Sequence, residues 1–142
     1  MPSYGQKQTS VDLLSNDSTT NIIRSNIKFN PKTFSVPQKD LLIFFRQLAV
    51  ILQSGVPLAQ GIELLSENTK DAKFASLQLQ ISSRLSAGEE LSTCLLKYPK
   101  VFAPITVGLI EAGEAGGILD KVLDRIASLI EQQAKIKSQI QG

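Results

Sequence analysis

From Pro37 onward the apolar residues recur at three- and four-residue intervals. The stripes they form are cut by small-residue-plus-glycine steps at Ser54-Gly55, Ala87-Gly88 and Ala112-Gly113. A stripe of that period buries one face of an α-helix, and a glycine at its end supplies the left-handed residue at which a helix stops. Leu41, Phe45, Leu48 and Leu52, widened by Phe44 and Ile51, define a helix from Asp40 to Gln53. Pro57 suits the first turn of a second helix, which carries Leu58, Ile62 and Leu65 and ends near Glu67-Asn68. Phe74, Leu77, Ile81 and Leu85 mark a third, Leu91 and Leu95 a short fourth before Pro99, and Pro104 opens a fifth that ends at Ala112-Gly113. The sixth is long, with Leu119, Val122, Ile126, Leu129, Ile136 and Ile140 in a 3–4 alternation broken only by Gln133. Three helix–turn–helix units predict an all-α fold, a compact six-helix bundle built from αα-hairpins. Gly55, Gly88, Gly113 and Gly117 are the expected turn glycines; Gly55-Val56-Pro57-Leu58 and Gly88-Glu89-Glu90-Leu91 match best, and the third unit is shifted by its extra Gly116-Gly117. No segment sustains a two-residue alternation, so a β domain is not expected.

Upstream of Pro37 the composition changes. Ser, Thr, Asn and Gln dominate, and such a stretch buries too little apolar surface to offset its ordering entropy. Residues 1–36 are expected to be a flexible lead-in, with Ile22, Ile23, Ile27, Phe29 and Phe34 as sparse anchors that could dock on the domain or on a partner. Residues 37–142 form the helical domain, one domain being what 142 residues hold.

Chemistry is narrowed by counting. With no histidine, no tryptophan and one cysteine, the chain lacks the side chains for a histidine-ligated zinc, a Ser-His-Asp or Cys-His nucleophile, or an internal disulfide. The net charge of +2 argues for neither nucleic acid nor an acidic membrane as a global partner. The longest apolar stretch, Val101 to Ile110, contains Pro104 and stops at Glu111, whereas a span needs about 20 apolar residues. The N-terminus carries no signal pattern, and the lone Cys94 fits a reducing compartment and a core position.

The first helix is apolar on more than one face: Leu42, Ile43 and Val50 lie off its main stripe, and Arg46 and Gln47 are among its few polar residues. Such a helix is either central in the bundle or packed on another subunit or protein. The densest cluster of unusual residues is Leu109 to Leu119, where Glu111 and Glu114 flank the glycine turn. Glu114 there precedes the sixth helix, whose unpaired N–H groups favour a carboxylate. No phosphate-binding lysine accompanies these glycines. Asp120 and Asp124, spaced i, i+4, form a solvated charged face, or at most a weak divalent-cation site completed by a carbonyl or a second subunit; no other cofactor is expected. The long helix reaches Gln141-Gly142 without a stop signal, and Lys135 and Lys137 suit the cytoplasmic side of a following transmembrane segment, as at a truncation point.

Five ordered blocks are similar to a known family. Phe44-Phe45-Arg46-Gln47-Leu48-Ala49, Gly55-Val56-Pro57-Leu58, Leu85-Ser86-Ala87-Gly88 with Leu91, Pro99 with Phe102, and Ala112-Gly113-Glu114 with Gly117 and Leu119 resemble the type II secretion system F family, which includes the platform proteins of type IV pili. The resemblance covers about Pro37 to Gly142. It implies the first cytoplasmic domain of a bacterial inner-membrane platform protein, not an enzyme, cut before its first transmembrane helix. It further implies coupling of a cytoplasmic hexameric assembly ATPase to movement of pilin or pseudopilin, contacts with other inner-membrane assembly proteins, and a homodimer. Gly116 stands where the family often has a small hydroxyl residue, which removes a side-chain cap for the sixth helix. Arg46, Gln47, Glu111, Glu114, Asp120 and Asp124 are the expected contact residues, from surplus apolar and carboxylate surface without a catalytic partner set. Two other readings are a helical nucleic-acid-binding module, disfavoured by basic residues that are scattered and interleaved with acids, and an acid–base enzyme using Glu111 and Glu114, which would need a pocket with a raised carboxylate pKa.

Overall fold

The first helix begins immediately after Pro37, whose carbonyl accepts from the N–H groups of Asp40 and Leu41 at 3.0 and 3.1 Å. A computed structural model describes residues 27–141. Its helices are α1 (Gln38–Gln53), α2 (Leu58–Glu67), α3 (Ala72–Ser86), α4 (Leu91–Leu95), α5 (Pro104–Gly116) and α6 (Leu119–Gln141), with no strand among the described residues. The all-α, six-helix expectation holds. The expected flexible lead-in up to residue 26, with Ile22 and Ile23, lies outside the described residues, as does the Ile140 side chain.

Each helix packs on its neighbours in sequence, and α6 returns to pack extensively on α1, closing a ring. Ser82 near the end of α3 donates to the Ala59 carbonyl near the start of α2, so these two run antiparallel. Gln38 at the start of α1 and Ala103 just before α5 both border a cleft with Gln133, far along α6. Successive long helices therefore alternate in direction, and α1, α3 and α5 all end at the same pole.

Those three ends share one geometry. The N–H of Val56 donates to Ile51, that of Glu89 to Arg84 and that of Ile118 to Gly113, each reaching back five residues around a glycine of positive φ, namely Gly55 (91°), Gly88 (102°) and Gly117 (71°). This is a Schellman-type stop, open to glycine because a β-carbon is strained there. The third turn glycine is thus Gly117 and not Gly113. Gly113 sits inside α5, buried, where an added β-carbon would lie 2.8 Å from Val122 Cγ2 and 3.3 Å from Leu119 Cα. Its smallness seats α6 against α5.

The core links all six helices. Phe45, Phe74 and Phe102 are buried, and Phe44 stacks at tilted or edge-on angles between Phe45 (5.2 Å) and Phe74 (5.5 Å), with Phe102 6.0 Å from Phe45. Such pairs add about 0.5–1.5 kcal/mol to the gain from burial. On α6 the buried residues are Leu123, Ile126, Ala127 and Ile130, with Leu119 and Val122 half-buried, so the core stripe is rotated from the expected Leu129 line and Ile136 is exposed. Helix α1 is not the central one: Ile43 and Val50 are exposed. The most deeply buried helix is α3, buried continuously from Phe74 to Leu79 and again at Ile81 and Ser82. Its buried Ser and Gln groups are matched: Gln78 Oε1 accepts from Thr69 Oγ1 at 3.2 Å, Ser82 donates to Ala59, and Ser76 and Gln80 donate to the Ile27 carbonyl, whereas Arg84 Nη1 is buried without a hydrogen-bond partner among the described residues. The last ten residues of the expected lead-in therefore belong to the packed domain. Phe29 stacks on Phe34 (4.6 Å) and approaches Tyr98 (6.0 Å).

The Gly113→Ala variant should lose about 1–3 kcal/mol of stability from overpacking at Val122. Gly108→Ala, on an exposed face of α5 with nothing nearby, should gain about 0.5–1 kcal/mol. Denaturant unfolding of both variants checks the pair, and equal effects would refute the close approach of α5 and α6. Burial also raises the Cys94 thiol and the Tyr98 phenol above their ordinary values of 9.0 and 10.0. The unfolded chain loses these protons first, so stability present below about pH 9 should fall as pH rises through the raised native values. A melting temperature that drops in this range for the native chain, and drops less for Tyr98→Phe, is the expected readout.

Candidate interaction surface

Arg46 projects from the middle of α1 toward α6. Its guanidinium spans two carboxylates placed seven residues apart on one face of that helix: Nη1 lies 3.8 Å from Asp124 Oδ1 and Nη2 donates to Glu131 Oε1 at 3.4 Å. All three side chains are roughly half exposed, so each pair is worth at most about 1 kcal/mol. They are compatible with the register that the buried core sets between the first and last helices. Glu131 was not among the expected residues; its signal is the i, i+7 spacing from Asp124. Asp124 thus faces Arg46, and Asp120 is half-buried in the first turn of α6. Among the described residues no group of three or more His, Cys, Asp or Glu side chains comes together to hold a metal ion.

Glu114 is positioned differently from expectation. It lies inside α5, upstream of the turn, and does not cap α6. Its Oε2 accepts from the Ser92 N–H at 3.0 Å and its Oε1 from the Ser92 hydroxyl at 2.6 Å, which caps α4 from another helix. The reason is local: α4 follows Glu90, whose side chain makes no capping bond, so the N–H at its second position seeks a tertiary acceptor. Glu111, three residues earlier, is exposed. Neither carboxylate lines any of the three clefts described here, and Glu114 is committed to Ser92.

Gln47 stands on the outward side of α1 with Ile43 and Val50, which are 45 % and 58 % exposed. The three positions follow the i, i+4, i+7 rule and so form one ridge. Two shallow clefts flank it between α1 and the end of α2. One, of about 280 Å³, is floored by Phe44, Leu65 and Phe74 and edged by Lys39, Asp40, Lys70 and Asp71; the other is edged by Arg46, Val50 and Asn68. Gln47 and Leu65 border both, so the clefts form one groove along α1. The arrangement is an exposed ridge beside a groove with a mixed-charge rim.

A sequence model of the family described as type II secretion system (T2SS), protein F, matches residues 44–142. The chain is 37 % identical over 107 residues to the type IV pilus assembly protein PilC of Myxococcus xanthus, covering 75 % of this chain and 26 % of that protein. It is 38 % identical over 104 residues to PilC of Thermus thermophilus, covering 73 % and 25 %. It is 33 % identical over 102 residues to the type II secretion system protein F of Vibrio cholerae, covering 72 % and 25 %. This chain belongs to the type II secretion system protein F family, and it spans about a quarter of the length of the relatives it matches.

Replacing Glu114 by Ala should cost about 1.5–3 kcal/mol, the range for hydrogen bonds to a charged group, and Ser92→Ala somewhat less. Arg46→Ala should cost no more than about 1 kcal/mol. Chemical unfolding of the three variants tests this order, and an Arg46 effect larger than that of Glu114 would contradict it.

Proposed function

We propose that this chain is a cytoplasmic domain of a bacterial inner-membrane platform protein for assembly of a type IV pilus or a type II secretion pseudopilus. In this reading it works through protein–protein contact, not through chemistry, and couples a hexameric assembly ATPase to the movement of pilin or pseudopilin. Family membership supports the assembly role. The observation that carries the contact role is the outward ridge of Ile43, Gln47 and Val50 on α1, with its groove and with Arg46 at the edge. An exposed β-branched pair two turns apart on a well-packed helix leaves about half of its apolar surface unused in the monomer, and that surface suits burial against a partner. Glu111 and Asp120 line neither cleft of the α1 groove, and in this reading they meet a further partner, the ATPase or a second copy of the platform protein.

No membrane span falls within the described residues, since no helix there is long and apolar enough to cross a bilayer. The platform reading therefore places membrane anchorage in other parts of the protein, as the quarter-length match to the relatives allows. The nucleic-acid reading lacks a helix carrying clustered Lys or Arg on one face.

The test is capture of the chain by the assembly ATPase, with sedimentation for self-association. Val50→Asp and Ile43→Asp alter exposed side chains and should leave the thermal melt within a few degrees of the native chain. ATPase capture or dimer formation should fall at least tenfold, the equivalent of about 1.4 kcal/mol. If both variants bind and self-associate as the native chain does, the ridge is not the contact surface.

A further inference from the structure

Arg84, in the last turn of α3, carries a charge that the bundle does not answer. The side chain is half-buried, its Nη1 is buried with no hydrogen-bond partner, and it makes no ion pair among the described residues. A guanidinium is a set of N–H donors that cannot shed its proton, so leaving one of its nitrogens buried and unmatched is costly. Arg46 shows the contrast: it is more open to water and still faces two carboxylates.

The neighbours of Arg84 are neutral or engaged elsewhere. Arg84 follows Gln80 by one turn and Ser76 by two, on the face of α3 that meets the Ile27 carbonyl. Its charge acts on the Cys94 thiol and the Tyr98 phenol; burial raises both groups, and Arg84 opposes the rise. Both are uncharged at neutral pH and cannot serve as counter-ions. Glu114 also acts on Cys94, but its two oxygens are held by Ser92. Glu89 gives its N–H to the Arg84 carbonyl, while its side chain is exposed and forms no ion pair with the guanidinium. Lys97, exposed, adds a second positive charge near Cys94.

This setting favours one singly charged oxyanion. A guanidinium fork accepts the two oxygens of a carboxylate side by side, whereas the second charge of a phosphate would meet exposed Glu89 and Glu90. Leu96 stands beside Lys97 and is 66 % exposed. A large apolar side chain next to an unmatched arginine belongs to protein recognition, where it covers the stem of the incoming residue and excludes water from the ion pair. We propose that Arg84, with Lys97 and Leu96 at its rim, receives the carboxylate of an Asp or Glu from a partner protein. This site depends on neither the α1 ridge nor the platform reading, so its failure would leave both intact.

Acetate and N-acetylglutamate amide are the probes. The arginine Nε–H signals of the isotope-labelled chain are followed by NMR as each probe replaces chloride at constant ionic strength, and Arg84→Lys identifies the Arg84 signal. That signal should move saturably, at roughly tenfold lower acetate than the signal of exposed Arg125. N-acetylglutamate amide should act at a lower concentration than acetate, and Leu96→Ser should cancel that difference. Acetate should also raise the melting temperature of the native chain and not that of Arg84→Gln. An Arg84 signal that moves only as Arg125 does, or that responds to inorganic phosphate at lower concentration than to acetate, would overturn the proposal. Equal action of the two carboxylate probes on the native chain would overturn the protein partner in favour of a free ion. A response that emerges only in the double variant Asp12→Asn with Asp17→Asn would overturn it in favour of this chain's own acids.

Discussion

The contact between the first and last helices is what the rest of this fold depends on. Five of the six helix junctions join sequence neighbours and follow from short turns; the sixth, α1 with α6, turns a chain of hairpins into a closed ring. Leu123, Ile126, Ala127 and Ile130 complete the wall around Phe45 and Leu48, and Arg46 straddles Asp124 and Glu131 in the register they set. Gly113 makes that contact reachable from the other side, since a β-carbon there would strike Val122 and push α6 outward. A single missing side chain on α5 thus governs how α6 reaches α1.

Much of this was legible in the sequence. Periodicity located all six helices, and the ordered blocks from Phe44-Phe45-Arg46 to Gly117 with Leu119 carried the family. What escaped has a common physical cause: it depended on partners distant along the chain. Ala112-Gly113 reads as a helix stop because glycine favours helix ends, yet here glycine serves close approach, and among Gly113, Gly116 and Gly117 it is Gly117 that has the left-handed backbone. Glu114 reads as a cap for the helix that follows it, but the N–H it meets belongs to Ser92, 22 residues upstream. Helix α3, dotted with Ser and Gln, does not look like the most enclosed element. It is so because Thr69, the Ala59 carbonyl and the Ile27 carbonyl satisfy those groups, the last from a stretch whose composition alone suggested disorder.

The candidate surface follows the same division. Ile43, Gln47 and Val50 were visible as surplus residues on α1, and burial decided between a central helix and an outward one. Charge shows the limit of counting most clearly. A value of +2 over 142 residues describes a chain with no field, while the fold sets Arg46 of α1 against Asp124 and Glu131 of α6.

Ring closure also bears on how the protein is made. Arg46 and Glu131 are 85 residues apart, so during synthesis the side of α1 that α6 covers stays open until nearly the whole domain has left the ribosome. The hairpins can form early, since their contacts are local, but cooperative folding must wait for the last helix. Until then Phe45 and Leu48 stay open to other chains. A ribosome that pauses before α6 emerges would therefore hold an aggregation-prone, half-built domain, and any chaperone engaged on this chain would be needed until α6 is complete.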